Sequence, residues 1–542
     1  MNRWLTAANQ YSGWIVYKFN VPTVVDSISV ILPDVSGLSA VERAPQDWTF
    51  EGSNDNSGWT VLDTQTGATG WTEGENRYYK FSNTEAYQYY KFNCTTNNGA
   101  TQLQIGELEF YCTGTGDCTW TGGGETGLVN DDANWGGAAM PGSEDTAYIN
   151  NTDATPARIP GGLTVYELLW LGNSSGNSAK VEQTTGTLRL RTGGTFGRAG
   201  GTAEYAISGG KLVLDDNLNM SAKSGKSSSL LAISGDGEVV LSDALYMCTA
   251  SASAGSTARI NISDSGKFSA AKEVRLGTVG SCSTGTVHQA GGTFSVNNAL
   301  SVGYSGNDYG EYRMSGGECS VTGDIMIGYA GSSKGLFEMT GGTLYCAKKL
   351  CIGRYGYGTF VASGADTVAT AAESVRVGFV NGSNPKGHGT LIVTNGAKIV
   401  TKQIFNGGTS SNPDLAEVVF DDAVLTATAS STSSVKFLQD LCDITLGSGG
   451  LTINTENHNV TIANCTFNVT PGAKITVTGG GTVTFENTTV KLTEPPTSAF
   501  TFAETDGAFS GLPTLSGAGK MKILGNSSRI VIGPPGLIFI LR

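Results

Sequence analysis

Two pairs of adjacent carboxylates, Asp215-Asp216 and Asp421-Asp422, are the residue types best suited to glycosidic chemistry, in which one carboxyl donates a proton and a second stabilises charge. Their spacing argues against that use. Neighbours in a strand point to opposite faces, so neither pair makes a two-carboxylate site, and both read as turn residues. His288, His388 and His458 are the three histidines and stand far apart. The ten cysteines follow no C-x-x-C metal spacing, which argues against a zinc or iron site. No G-x-S-x-G elbow or phosphate-cradling loop occurs in a suitable context. No catalytic residue is assigned.

One surface pattern repeats. Tyr304, Tyr329, Arg354 and Phe379 each follow a glycine, and Gly303, Gly328, Gly353 and Gly378 are spaced by 25 residues. If successive segments stack, these side chains form a ladder at roughly 4.8 Å intervals. Flat rings and a guanidinium in a row are candidates for stacking on sugars. The alternative is a corner whose side chains shield the backbone.

The elements that must position this ladder are legible in the segments Gly291–Ser315 and Gly316–Thr340, which share length and pattern with few identical residues. Phe294, Cys319 and Leu344 fall into one column, and Val296, Val321 and Cys346 into a second. Leu300, Ile325 and Leu350 give a third, and Val302, Ile327 and Ile352 a fourth; Tyr312 with Phe337 and Met314 with Met339 complete the set. Within each segment the apolar residues alternate with polar ones in three short runs, the mark of strands with one buried face. Three strands per repeat of about 25 residues describe a right-handed parallel β-helix, each strand pairing with its equivalents in the turns above and below. Gly172, Ser221, Cys248 and Gly277 occupy the corner position in looser earlier repeats. The corner calls for a small residue, often with positive φ.

Composition agrees: 76 glycines and 15% charged residues suit short strands and tight turns. The net charge of −13 argues against nucleic acid as a partner. No run of about 18 apolar residues occurs, so no transmembrane helix is expected. The first ten residues, MNRWLTAANQ, lack an apolar signal core, which implies a removed leader or an upstream start.

Residues 1–112 read differently, as aromatic-rich strands separated by Asn/Asp/Gly turns, a β-sandwich. The run R-A-P-Q-D-W-T-F-E-G-S-N-D from Arg43, then W-T-V-L-D, A-Y-Q-Y-Y-K-F and I-G-E-L-E, resembles the discoidin or coagulation-factor-type C family, which includes carbohydrate-binding modules. The resemblance implies a jelly-roll sandwich that binds sugars through loops at one end. It matches the family's late acidic residue to Glu107 or Glu109, making Glu107 a calcium candidate, although the family's opening segment, with the other calcium ligands, has no counterpart before Met1. Trp4, Trp71 and Arg43 have the chemistry to stack on or hydrogen-bond a sugar, with core packing and loop holding as the alternatives.

Residues 113–162 read as a linker and solenoid cap, in which W-T-G-G-G, N-W and P-x-x-x-D-x-A resemble the start of autotransporter-like bacterial surface β-helices. Trp120 and Trp135 are the expected capping aromatics. Glu125, Asp131, Asp132 and Asp145 are possible calcium ligands or ordinary loop residues. Cys112 and Cys118 are the candidate disulfide pair, whereas Cys319 and Cys346 are too far apart diagonally. Repeats are expected over 163–492 and a C-terminal cap over 493–542, ending in an apolar strand that could pair with a second copy.

The expectation is thus an all-β, secreted or cell-surface protein that attaches to a carbohydrate or cell-surface glycan, like an adhesin, without a required cofactor but with calcium possible. A subunit that assembles into filaments through its C-terminal strand is one alternative. A polysaccharide lyase or hydrolase with its site on the β-helix is the other.

Overall fold

The computed structural model describes residues 3–33, 40–111, 118–135, 140–143, 145–150, 155–222, 225–249, 255–278, 283–379, 387–407, 415–517, 519–524 and 527–535. They contain no α-helix, and no helix long and apolar enough to cross a membrane. Two compact units are distinguished: residues 1–148 with 165–168, and residues 149–164 with 169–542.

The first unit contains a sandwich of antiparallel strands. These are β1 (Trp4–Leu5), β2 (Gly13–Thr23), β3 (Ser27–Ile31), β4 (Pro45–Ser53), β5 (Thr60–Gln65), β6 (Asn76–Lys80), β7 (Tyr87–Asn97), β8 (Gln104–Ile105) and β9 (Glu107–Tyr111). One sheet runs β2-β7-β4-β5, the other β6-β3-β9, and β1 pairs with β8. Trp48, Phe50, Tyr90 and Phe92 fill the space between, with Trp48 edge-on to Tyr79 at 4.8 Å and Phe50 stacked on Tyr90 at 5.5 Å. The Tyr90 hydroxyl, deep in this core, donates to the Thr23 carbonyl and accepts from the Val25 amide, so its burial leaves no unmet polar group. Further along the same unit, Trp120 and Trp135 meet edge-on at 5.3 Å, and Trp135 lies 6.2 Å from Tyr166.

The second unit is a β-solenoid. Its face B is a 15-stranded parallel sheet, one strand per turn, from Ala157–Ile159 to Thr514–Ser516. Face A includes Leu300–Val302, Ile325–Ile327 and Lys349–Ile352, and face C includes Thr293–Val296, Glu318–Val321 and Gly342–Cys346. The pairing follows the 25-residue columns: Leu300, Ile325 and Leu350 are aligned, as are Phe294, Cys319 and Leu344, and Tyr312 with Phe337. Every one of these side chains is buried. Inside, Tyr312 stacks on Phe337 at 4.5 Å, 3° from parallel.

The corner after face A is left-handed in every repeat where a small residue was expected. Gly172, Gly277, Gly303, Gly328, Gly353 and Gly378 all have positive φ, and so do Ser221 (53°) and Cys248 (59°). A Cβ at Gly353 would sit 2.0 Å from the His388 carbonyl oxygen. The two non-glycine residues meet the same backbone differently. Ser221 Oγ donates to the Thr257 carbonyl at 2.5 Å and Cys248 Sγ to that of Thr284 at 3.3 Å, so a side-chain donor converts crowding into a hydrogen bond.

A second repeated device closes the turn after face B. Buried Gln183 accepts from the Tyr205 hydroxyl at 2.6 Å and donates to the carbonyls of Gly186 and Lys211. Gln289 does the same with Tyr312 at 2.6 Å and the carbonyls of Gly292 and Glu318. At the far end, Arg529–Gly533 lies between Phe500–Thr505 and Lys520–Leu524, antiparallel to both, so both of its edges are already paired within the chain. Residues 536–542, the rest of the apolar tail, lie outside the described residues.

Candidate functional site

The residues singled out for sugar contact fall in two places. On the solenoid, Tyr304 and Tyr329 do stack, 4.8 Å apart and 9° from parallel. Their outer faces are not open. The Arg275 guanidinium lies 4.2 Å over Tyr304, and Arg354 lies 5.0 Å over Tyr329. The row continues through Tyr355 to Phe379, with Arg376 over both Phe379 and Phe405. Each tyrosine is thus sandwiched between a ring and a cation, the arrangement of a corner that shields the backbone. The row also acts as a roof. Ser301, Met326 and Cys351 point outward from face A yet are buried, and Arg354 Nη1 reaches Met326 Sδ at 2.8 Å.

In the head, Trp71 is 3% exposed and donates its Nε1 hydrogen toward the carbonyls of Pro45 and Ala68, both at 3.1 Å. Arg77 covers it at 4.0 Å. It belongs to the core, the packing alternative for this residue. Trp4 is half-buried against the same core. Arg43 holds a loop: Nη1 reaches Gln104 Oε1 at 3.3 Å while its carbonyl accepts from the Gln104 amide at 2.9 Å. Glu107 is exposed at the start of β9, opposite Ile31.

The carboxylates considered for calcium spend their oxygens on turns. Asp131 accepts from Thr126 Oγ1 and the Ala133 amide, Asp132 from the Met140 amide, and Asp145 from the Gly142 amide. Among the described residues no group of three or more His, Cys, Asp or Glu side chains is gathered to hold a metal ion. Cys118 is buried, and Cys112 lies outside the described residues.

On face B the sequence missed a cluster. Glu311 receives the Tyr309 hydroxyl at 2.9 Å, Arg313 Nε at 2.5 Å and His288 Nε2 at 3.4 Å, while Arg313 also pairs with Glu338. A groove of about 380 Å³ runs beside it. Burial alone would raise the Glu311 carboxyl, but the Arg313 guanidinium and the Tyr309 hydroxyl outweigh it and hold the group below its ordinary range. Glu311 is engaged by its neighbours on the sheet, an arrangement typical of a structural ion network. Asp215 pairs with Arg189 at 2.8 Å, and Asp421 accepts from the Gly449 amide at 2.6 Å, both turn-stabilising roles.

What sequence reasoning also missed is the outer face of the β2-β7-β4-β5 sheet. Trp14 is 62% exposed there. The register sets Trp14 beside Asn93 and Thr49, Val16 beside Lys91 and Glu51, and Lys18 beside Tyr89 and Ser53. Glu51 binds Lys91 at 2.5 Å and accepts from Thr49 at 2.6 Å and Asn93 at 3.2 Å. Lys91 also lies 4.2 Å over Trp59, and Lys18 lies 5.4 Å over Tyr89. The face combines a solvent-facing indole with polar groups fixed in place by one another.

No family model matches the chain. A peptide-N(4)-(N-acetyl-beta-glucosaminyl)asparagine amidase of Arabidopsis thaliana is 30% identical over 115 residues, which is 20% of this chain and 16% of that protein. The chain therefore spans about one sixth of that relative's length. Among solved structures, a family 32 carbohydrate-binding module from Streptococcus pneumoniae EndoD matches 20% of this chain and 75% of its own, at 16% identity and a TM-score of 0.18. An F5/8 type C domain from Bacteroides fragilis matches 20% and 73%, at 14% identity and a TM-score of 0.18.

Proposed function

We propose that the head is a glycan-binding module and that the solenoid carries it as a non-catalytic scaffold on a secreted or surface-exposed protein. The observation that supports this is a contrast in how aromatic rings are used. Tyr11, Trp14 and Tyr17 are 57%, 62% and 52% exposed within seven residues of the head, whereas the rings of the solenoid ladder are covered on both faces. An indole left in water beside ordered hydrogen-bonding groups loses little on meeting a sugar and gains stacking area. The sequence run from Arg43 to Asp55, with its resemblance to a family that includes carbohydrate-binding modules, points the same way.

The test is a broad glycan panel with the full-length protein, followed by product analysis of every glycan bound. The reading expects retention of at least one glycan with no new reducing or unsaturated ends. Cleavage of a bound polysaccharide would replace it with the enzymatic reading, and retention of none would end it.

A further inference from the structure

Resting on the reading of the head as a glycan-binding module, we infer that its ligand is an acidic saccharide lying along β2 on the outer sheet face, with one sugar ring on Trp14 and an anionic group at Lys18. The candidates named for the loop end are less open: Trp71 is enclosed, Trp4 is half-buried, and Arg43 is committed to Gln104.

Three features of the face carry the assignment. Trp14 presents its indole to solvent on a strand whose pairing with β7 is regular from Gly13 to Lys18, so Trp14, Val16 and Lys18 share one side. Four residues of strand separate Trp14 from Lys18 by about 14 Å, room for a short oligosaccharide rather than a single sugar. Between them stand Asn93 and Lys91, both hydrogen-bonded to Glu51 and therefore oriented before any ligand arrives.

Charge then selects the ligand class. The chain as a whole carries −13, so an anionic partner needs a local positive charge to be held. On this face Glu51 is matched by Lys91, and Lys18 is exposed with no carboxylate ion-paired to it among the described residues, which places one positive charge beside the aromatic platform. A saccharide bearing a carboxylate or a sulfate ester would place that group at Lys18 and its hydroxyls toward Asn93 and Lys91.

The test uses the full chain and four probes: trigalacturonate, its fully methyl-esterified form, a sulfated carrageenan trisaccharide, and cellotriose. Calorimetric titration should show binding of at least one charged probe, weakened by 0.5 M salt, with the esterified and neutral probes at least fivefold weaker. Strong trigalacturonate binding points to carboxylate, and strong carrageenan binding to sulfate. Trp14→Ala should weaken the charged probe tenfold or more, and Lys18→Glu should weaken it at least fivefold while leaving cellotriose unchanged. Both side chains are exposed, so unchanged melting temperatures are expected and loss of binding is not loss of fold.

Charged-probe binding that survives both substitutions would overturn the location while leaving the head a glycan-binding module. Tighter binding of the neutral probes would overturn the ligand class. Failure of the whole glycan panel, by contrast, would remove the parent reading.

Discussion

The rings of Tyr304 and Tyr329 lie 4.8 Å apart, the same separation as adjacent strands in a sheet, so their stacking is imposed by the coil that carries them. Arg275 and Arg354 close the stack from either side. Ring–ring and ring–cation contacts of this kind contribute about 0.5–1.5 kcal/mol each. Replacing Tyr329 by alanine should remove one of each and uncover Met326. The expected outcome is a destabilisation of about 2–3 kcal/mol, seen as faster amide exchange in strands 325–327 and 349–352, with glycan binding unaltered.

The corner glycines are buried and left-handed, so they should tolerate replacement poorly. Gly353 has φ +71°, and its missing Cβ would collide with the His388 carbonyl. A left-handed alanine costs about 1–2 kcal/mol before any clash is counted. Gly353→Ala should therefore lower stability by at least about 2 kcal/mol. Ser221→Gly, at the same corner, removes a hydrogen bond but relieves the left-handed cost, so a change below about 1 kcal/mol is expected. Chemical denaturation of the two variants checks the contrast.

The register of the solenoid was readable because each inward slot repeats at a fixed interval and any apolar side chain of the right volume fills it, as Leu300, Ile325 and Leu350 do. The state of the ladder was not. Spacing places Tyr304 and Tyr329 side by side, but Arg275 and Arg354 cover their outer faces, and only rotamers reveal that both ring faces are taken. Trp71 stayed open between stacking and core packing for a similar reason: its Nε1 hydrogen goes to carbonyls at Pro45 and Ala68, which a glycine-rich stretch does not announce. Trp14 was passed over because the aromatics of β2 do not alternate. Trp14 faces outward, whereas Tyr17, three residues on, leans over Phe19 and Phe110 and is still half exposed.

Acid should loosen the head through Glu51. Burial alone would raise this carboxyl, but the Lys91 ammonium and the hydrogen bonds from Thr49 and Asn93 outweigh it and hold it below 4.5. A group whose folded value is depressed stabilises the fold above its unfolded value, and that contribution fades as pH falls below about 4.5 and through the folded value. The melting temperature of the head should fall over that range. Glu51→Gln should be less stable than wild type at pH 7 and should lose less on acidification, and thermal melts from pH 7 to pH 3 compare the two.

The central claim is that the exposed Trp14 face of the head, and not the covered ladder of the solenoid, meets the glycan. The direct measurement is calorimetric titration of the best ligand from the glycan panel against full-length wild type, Trp14→Ala and Tyr329→Ala. The account predicts affinity reduced tenfold or more in Trp14→Ala and unchanged in Tyr329→Ala. Unchanged affinity in Trp14→Ala together with its loss in Tyr329→Ala would contradict it.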